Sequence, residues 1–306
     1  MTRRNPLPRP LRTSAFTIRT AHLTRVPRSR LGARDIRAPY YGVRSSIVWP
    51  EAFNAIERAS REYLPRLRPA MVFSHSTAAS LLGAPLPARL GNEPLHITAI
   101  PPRREPRTLG VIGHREYHDS SEFGMLRGIP ITNPATTWVQ LASQLSIDEL
   151  IVVGDFFVGR SGLCSLEDLD SALDARGQRG IVKLRAAREH IRLGSESPRE
   201  TETRLAILDG GLPEPELNWV LRTADRRFVA RLDMAYPGYR VAVEYDGRQH
   251  AEGAQFEIDA DRWYAIEREG WIVVRVLAHH LRSPGLVADR VREALTSRGW
   301  APRANR

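Results

Sequence analysis

The sequence contains a single cysteine, Cys164. An internal disulfide is therefore excluded, and so is a thiolate metal cluster. Lysine is equally scarce. Lys183 is the only one, and arginine supplies the rest of the 45 basic residues. Apolar runs are short: Leu150 to Val153 and Trp271 to Val274 fall far below the length that spans a bilayer. The chain begins with Arg3-Arg4 and has no apolar segment behind them, which argues against an export signal. The expected location is cytoplasmic, with no membrane partner. What is present is ordinary globular composition, 42% hydrophobic and 26% charged, in a chain of 306 residues. Wholesale disorder is excluded and two or three domains are expected.

Charge is distributed unevenly. The net charge is +10. Residues 1 to 50 hold eleven arginines and one acid, Asp35, so the remaining 256 residues balance to zero. A localised basic segment is the electrostatic footprint of a polyanion binder; the competing reading is a solvated, arginine-rich arm.

The fold class expected is α/β, in four regions. Residues 1–14 read as a disordered basic tail, with three prolines and four arginines. Residues 15–50 read as a winged helix-turn-helix. A helix from Phe16 to Leu23 is followed by a second, basic helix from about Ser29 to Arg37, with Ser29 as N-cap, and then by a turn into a short strand. Arg28, Arg30, Arg34 and Arg37 lie on or beside the second helix and Arg44 on the strand, positions suited to DNA. Residues 51–194 read as a mixed α/β middle domain. His75, His96 and His114 fall in separate elements there, without ligand-like spacing, and read as ordinary polar histidines rather than a metal site. Residues 195–306 read in the order αβββαβα, opened by a helix with Pro198 in its first turn and Ser197 as cap.

The chemistry concentrates in this last region. On the strand Val241 to Asp246, alternation puts Glu244 and Asp246 on one face. The preceding strand ends in Arg231-Leu-Asp233. In a hairpin of the two, Asp233 and Glu244 sit on adjacent strands. Converging carboxylates repel one another unless a cation offsets them. An oxygen-rich set suits Mg²⁺, with Mn²⁺ as an alternative. The candidate metal ligands are Asp233, Glu244 and Asp246. Glu200 would assist, and His250 would orient or deprotonate a water. The bland alternative is a hairpin with solvent-facing acids.

Ser197-Pro-Arg-Glu200-Thr, Gly211-Leu-Pro-Glu-Pro, Arg231-Leu-Asp233, Val243-Glu244-Tyr-Asp246-Gly-Arg-Gln-His250, Asp261-Arg262 and Glu269-Gly-Trp-Ile-Val-Val-Arg275 occur in that order. Together they resemble the actinobacterial domain-of-unknown-function 559 family. That family belongs to the PD-(D/E)XK restriction-endonuclease-like superfamily and is related to very-short-patch repair endonucleases. The resemblance covers about residues 195–298. It implies a Mg²⁺-dependent phosphodiesterase in which Asp233 and Glu244 match the metal-binding acids, Glu200 the acid of the first helix, and Asp246 and His250 the Asp-Gly and His of the repair branch. The superfamily lysine would fall at Asp246, so Gln249 or His250 takes part of its role, or this branch uses a different arrangement, or the enzyme is weak or inactive. Arg248 joins the expected DNA contacts. The stretch Phe16 to Val43, with Ser74 to Pro87 after it, is similar to the winged-helix region of AbiEi-like antitoxins, which implies DNA binding.

The resulting expectation is a Mg²⁺-dependent DNA endonuclease with a basic winged-helix head. The rival is a non-catalytic regulator or antitoxin-like protein carrying a relic nuclease domain; a nuclease acting on RNA is a third option. A protein partner or a homodimer is compatible with the sequence.

Overall fold

A computed structural model of the chain describes residues 6–91, 93–117, 119–159, 161–175, 180–247 and 254–302, without the side chains of 120 and 254–260. The architecture is mixed α/β. Contacts divide the chain into two compact units, residues 1–149 with 166–185, and residues 150–165 with 186–306. No helix among the described residues is long and apolar enough to cross a membrane.

The N-terminal unit opens with α1 (Pro10–Thr13), β1 (Phe16–Thr17), α2 (Ile18–Leu23) and β2 (Val43–Arg44), which pairs antiparallel with β1. Leu7 and Leu11 pack with Phe16, Ala21, Val26, Leu31 and Ile36 in a small core. From residue 6 onward, then, the expected tail is ordered structure: two leucines four apart anchor it despite its prolines and arginines. The expected second helix is a five-residue 3₁₀ turn, Arg28–Gly32, entered from Pro27 rather than capped by Ser29. Only Leu31 of that turn is buried. A stretch with one inward apolar side chain and a glycine at its end lacks the apolar stripe that would extend it.

The chain continues through α3 (Ala55–Tyr63), β3 (Met71–Phe73), α4 (His75–Leu81), β4 (Leu95–Ala99), β5 (Val111–Arg115), β6 (Phe123–Leu126), β7 (Ile129–Thr132) and α5 (Pro134–Gln140). Five of these strands form a mixed sheet in the order β5-β4-β3-β7-β6. Tyr63, Phe73, Leu95, Ile97, Ile129 and Ile131 make its core. Strand β3 has three buried residues and no exposed position, so it shows no alternation by which to recognise it.

Next come α6 (Ile147–Val158), α7 (Leu166–Asp174) and α8 (Ile181–His190). Most of α6 belongs to the C-terminal unit, whereas the sequence places the boundary after residue 194. The reason is an ion pair. Asp155 on α6 meets Arg204 at 2.8 Å, both side chains being 1% exposed. Thr201 and the Arg192 backbone N–H also donate to Asp155.

The C-terminal unit then runs α9 (Pro198–Asp209), β8 (Glu216–Arg222), β9 (Phe228–Tyr236), β10 (Val241–Asp246), α10 (Ala254–Arg268), β11 (Ile272–Leu277) and α11 (Pro284–Ser297). That is the order αβββαβα. The sheet order is β11-β10-β9-β8, with β10 and β11 parallel and the other pairs antiparallel. Val241 and Val243 pack with Ile207 of α9 and Val291 of α11. Ala242 packs on the opposite side with Ile266 of α10 and Trp271. Period-two alternation therefore turns Glu244, like Ala242, toward α10.

Candidate active site

Asp233 and Glu244 meet where β9 and β10 part. The ladder pairs Val241 with Tyr236, Ala242 with Ala235 and Val243 with Met234. One step beyond, side chains replace backbone acceptors. The Asp233 N–H donates to Glu244 Oε1 at 3.1 Å, and the Tyr245 N–H donates to Asp233 Oδ2 at 3.2 Å. Each carboxylate thus caps the other strand and the two are held face to face, although Glu244 is only 3% exposed.

The electrostatics follow from that burial. Burial, and then the charge of Asp233, push the Glu244 carboxyl up from its ordinary 4.5 to about 7, with Arg262 opposing. Burial also raises Asp233. Arg262 of α10 donates to Glu244 Oε2 at 2.7 Å and to the Arg231 carbonyl at 2.8 Å. Arg262, with Arg231 also acting on Asp233, does not offset the desolvation of buried Glu244 and half-buried Asp233, and both carboxyls stay raised. Oxygen ligands in this number suit a hard divalent cation such as Mg²⁺, which takes one or two carboxylates and completes its shell with water and phosphate oxygens.

The remaining expected site residues are placed differently. Asp246 pairs with Arg275 of β11 at 2.6 Å, and that guanidinium lies 3.6 Å over the Trp263 ring. Both Glu200 oxygens accept hydrogen bonds at the start of α9, from the Ser197 hydroxyl and the Glu196 N–H. The carboxyl of Glu200 is nonetheless raised, by burial first and in part by the charge of Asp233. Arg248, Gln249 and His250 lie outside the described residues. Lys183 donates to the Ala142 and Leu145 carbonyls, both at 2.9 Å, and so is committed within the N-terminal unit.

The basic segment is partly spent on its own fold. Arg30 makes a bidentate pair with Asp35, Arg37 reaches Glu62 and the Ile47 carbonyl, and Arg44 donates to the Leu31 and Val43 carbonyls. Arg28 and Arg34 are exposed. A cavity of about 600 Å³ near them in sequence is lined by Arg19, Arg44, Arg66, Tyr40 and Tyr41.

The histidines without ligand-like spacing come together. His75 begins α4, His96 lies in β4 and His114 in β5, and one ligating atom of each lies within 4.8 Å of the others. Among the described residues, no other three His, Cys, Asp or Glu side chains are close enough to share an ion. His75 and His96 are each 4% exposed. Burial lowers the pKa of His96, and facing His114 lowers it further while Glu93 opposes; burial likewise lowers His114, against Glu116. Sheet pairing is the signal that would have found them: His96 lies beside Ile112 in the parallel β4–β5 register, two residues before His114.

No family model matches the chain. It is 32% identical over 254 residues to the uncharacterized proteins Rv2248 and MT2308 of Mycobacterium tuberculosis, covering 80% of this chain and 90% of each relative. A solved structure, that of the RV2827C protein from Mycobacterium tuberculosis, is 18% identical, with a TM-score of 0.39 over 70% of this chain and 85% of that one.

Proposed function

The chain belongs to the family of the Mycobacterium tuberculosis proteins Rv2248 and MT2308, and we propose that it is a cytoplasmic, Mg²⁺-dependent DNA endonuclease whose reaction is carried by the C-terminal unit. The observation that carries this reading is the pairing of buried Glu244 with half-buried Asp233, held at the parting of two strands with both carboxyls raised despite Arg262. Its support from sequence is the ordered set of motifs that resembles the PD-(D/E)XK superfamily. Asp233 and Glu244 would hold the ion, with Mn²⁺ as a substitute, and the ion would supply Lewis-acid activation and neutralise phosphate charge.

The protein's own groups divide the remaining work. Arg262 brings a permanent positive charge to a site that lacks the superfamily lysine. It stabilises charge developing on the phosphate but does not serve as a base. His250 takes the proton of the attacking water. DNA is held by exposed Arg28 and Arg34 and by the arginine-lined cavity of the N-terminal unit. Contacts of that kind fix position on the backbone rather than sequence.

The test is cleavage of supercoiled plasmid, mismatched duplex, flap and single-stranded DNA with Mg²⁺ or Mn²⁺, comparing wild type with Asp233→Ala. Metal-dependent cutting should fall by at least 100-fold in the variant. A variant that cuts as fast as wild type would show the site assignment to be wrong. The second reading is a DNA-binding regulator with a relic nuclease domain. It is favoured by the commitment of Lys183 to the other unit and of Asp246 to Arg275. DNA binding without cutting on any substrate would select it.

A further inference from the structure

Three imidazoles are gathered in the N-terminal unit, two buried and one half-buried, in a cluster that the nuclease reading leaves unused. His96 Nδ1 faces His114 Nε2 at 2.8 Å. The rings of His75 and His114 stack at 3.7 Å between centroids, 16° from parallel, and His96 lies 5.1 Å from His114. Two of the rings are also held by other side chains. His75 turns Nδ1 to Ser74 Oγ at 3.0 Å and Nε2 toward Glu116 Oε1 at 3.8 Å. His96 turns Nε2 to Glu93 Oε2 at 3.4 Å and to the Gln144 side chain at 3.2 Å. A carboxylate behind a ligating histidine fixes its tautomer and orientation, which is the usual support around protein-bound metals.

The backbone is arranged to the same end. His75 adopts φ +51°, a left-handed conformation that β-carbon sterics disfavour in a non-glycine residue. Its N–H is taken by Gln140 Oε1 at 3.2 Å, and the His96 N–H by Thr77 Oγ1 at 2.8 Å. Gln140 in turn donates to Glu116 Oε2 at 2.6 Å. Three elements and two glutamines thus converge on the imidazole cluster, at the cost of one strained residue.

We propose that His75, His96 and His114 form a binding site for a divalent transition-metal ion of the zinc type, with Glu116 as a fourth donor and Ser74, Glu93 and Gln144 as the supporting shell. Imidazole nitrogens with one carboxylate select zinc, cobalt or nickel over magnesium, the ion assigned to the C-terminal unit. A tetrahedral ion with nitrogen ligands at 2.0–2.1 Å separates those nitrogens by about 3.3 Å. The His96–His114 gap must therefore open by about 0.5 Å and the stacked rings must splay, because an ion lies in the plane of each imidazole. The bound ion would tie α4 to β4 and β5.

The experiment uses the full chain, stripped with chelator and titrated with Zn²⁺ by calorimetry, with Co²⁺ as a spectroscopic probe of the same site. One equivalent should bind saturably, and Co²⁺ should show the visible bands of a tetrahedral nitrogen-ligated site. His96→Ala and His114→Ala should each weaken Zn²⁺ binding at least 100-fold. Glu93→Gln should weaken it about 10- to 100-fold, as loss of a supporting carboxylate does. Asp233→Ala should leave it unchanged, which separates this site from the proposed Mg²⁺ site. The wild-type Co²⁺ spectrum needs no variant, so misfolding of a histidine mutant does not decide the matter. Absence of a saturable equivalent, an octahedral Co²⁺ spectrum, or equal binding in folded His96→Ala and His114→Ala proteins would overturn the proposal.

Discussion

The two buried polar centres of this chain are built on opposite principles. In the C-terminal unit, Asp233 and Glu244 are acids brought together by adjacent strands, and their charge exceeds what Arg262 supplies. In the N-terminal unit, His75, His96 and His114 are bases brought together from three elements, and burial lowers the pKa of His96 and His114. The first centre stores repulsion that a bound cation would relieve. The second stores backbone strain and stacked rings, and its rings need no counter-charge until they are protonated. Burial alone therefore says little about a polar cluster; the sign of the charge it penalises decides what the cluster wants.

The largest test of that contrast uses a carboxylate with more partners, although burial raises its carboxyl too. Asp155 is as deeply buried as Glu244, yet it has Arg204, Thr201 and the Arg192 N–H as partners. Arg204→Met should convert it into an uncompensated charge and destabilise the C-terminal unit by about 3–5 kcal/mol. Pairing that change with Asp155→Ala should recover much of the loss. Urea denaturation of the two proteins measures the difference. Equal stability of single and double variants would show that the charge is not what matters there.

The next effect is smaller and sharper, because the two centres should respond to pH with opposite signs. Glu244 binds its proton more tightly in the folded chain than in the unfolded one. Its contribution is complete below pH 4.5 and is lost as pH rises through about 7, a loss of about 3 kcal/mol. Asp233 and Glu200, also raised, act in the same direction. His96 and His114 bind protons less tightly when folded, so their contribution is present above about pH 6.5 and is lost as pH falls below it. Hydrogen exchange followed by region should show β9 and β10 opening more readily toward pH 8, and β4 and β5 toward pH 5.5. Glu244→Gln should flatten the first slope and leave the second.

The same contrast explains what could be read from sequence. The Asp233–Glu244 pair was legible because a hairpin joins its strands and period-two alternation sets its face. The helices Ile147–Val158 and Pro198–Asp209 were legible for the same local reason, with Ser197 and Pro198 marking the start of the second. The histidine centre was not legible, because it depends on a parallel β4–β5 register that no local spacing encodes. Strands β3, β6 and β7 were missed. The first is buried throughout, and β6 carries a glycine and exposed positions that resemble a loop. The basic segment shows a different limit. Arginine count measures charge but not its pairing: Arg30 and Arg37 are paired with Asp35 and Glu62, whereas Arg44 donates to backbone carbonyls and keeps its charge.

The smallest effect separates scaffold from chemistry at Glu200. Ser197 Oγ accepts the Glu200 N–H at 3.2 Å and donates to its carboxylate at 2.9 Å, closing the first turn of α9. Removing the cap with Ser197→Ala should cost about 1 kcal/mol and leave metal-dependent cleavage within about twofold of wild type. Glu200→Gln keeps a side chain able to accept from the Glu196 N–H, so its stability should change by less than that. If Glu200 serves only the helix, cleavage by Glu200→Gln also stays near wild type. If it belongs to the carboxylate centre, cleavage falls at least tenfold while the melting temperature holds. That result would enlarge the acidic site from two residues to three and increase its excess of negative charge over Arg262.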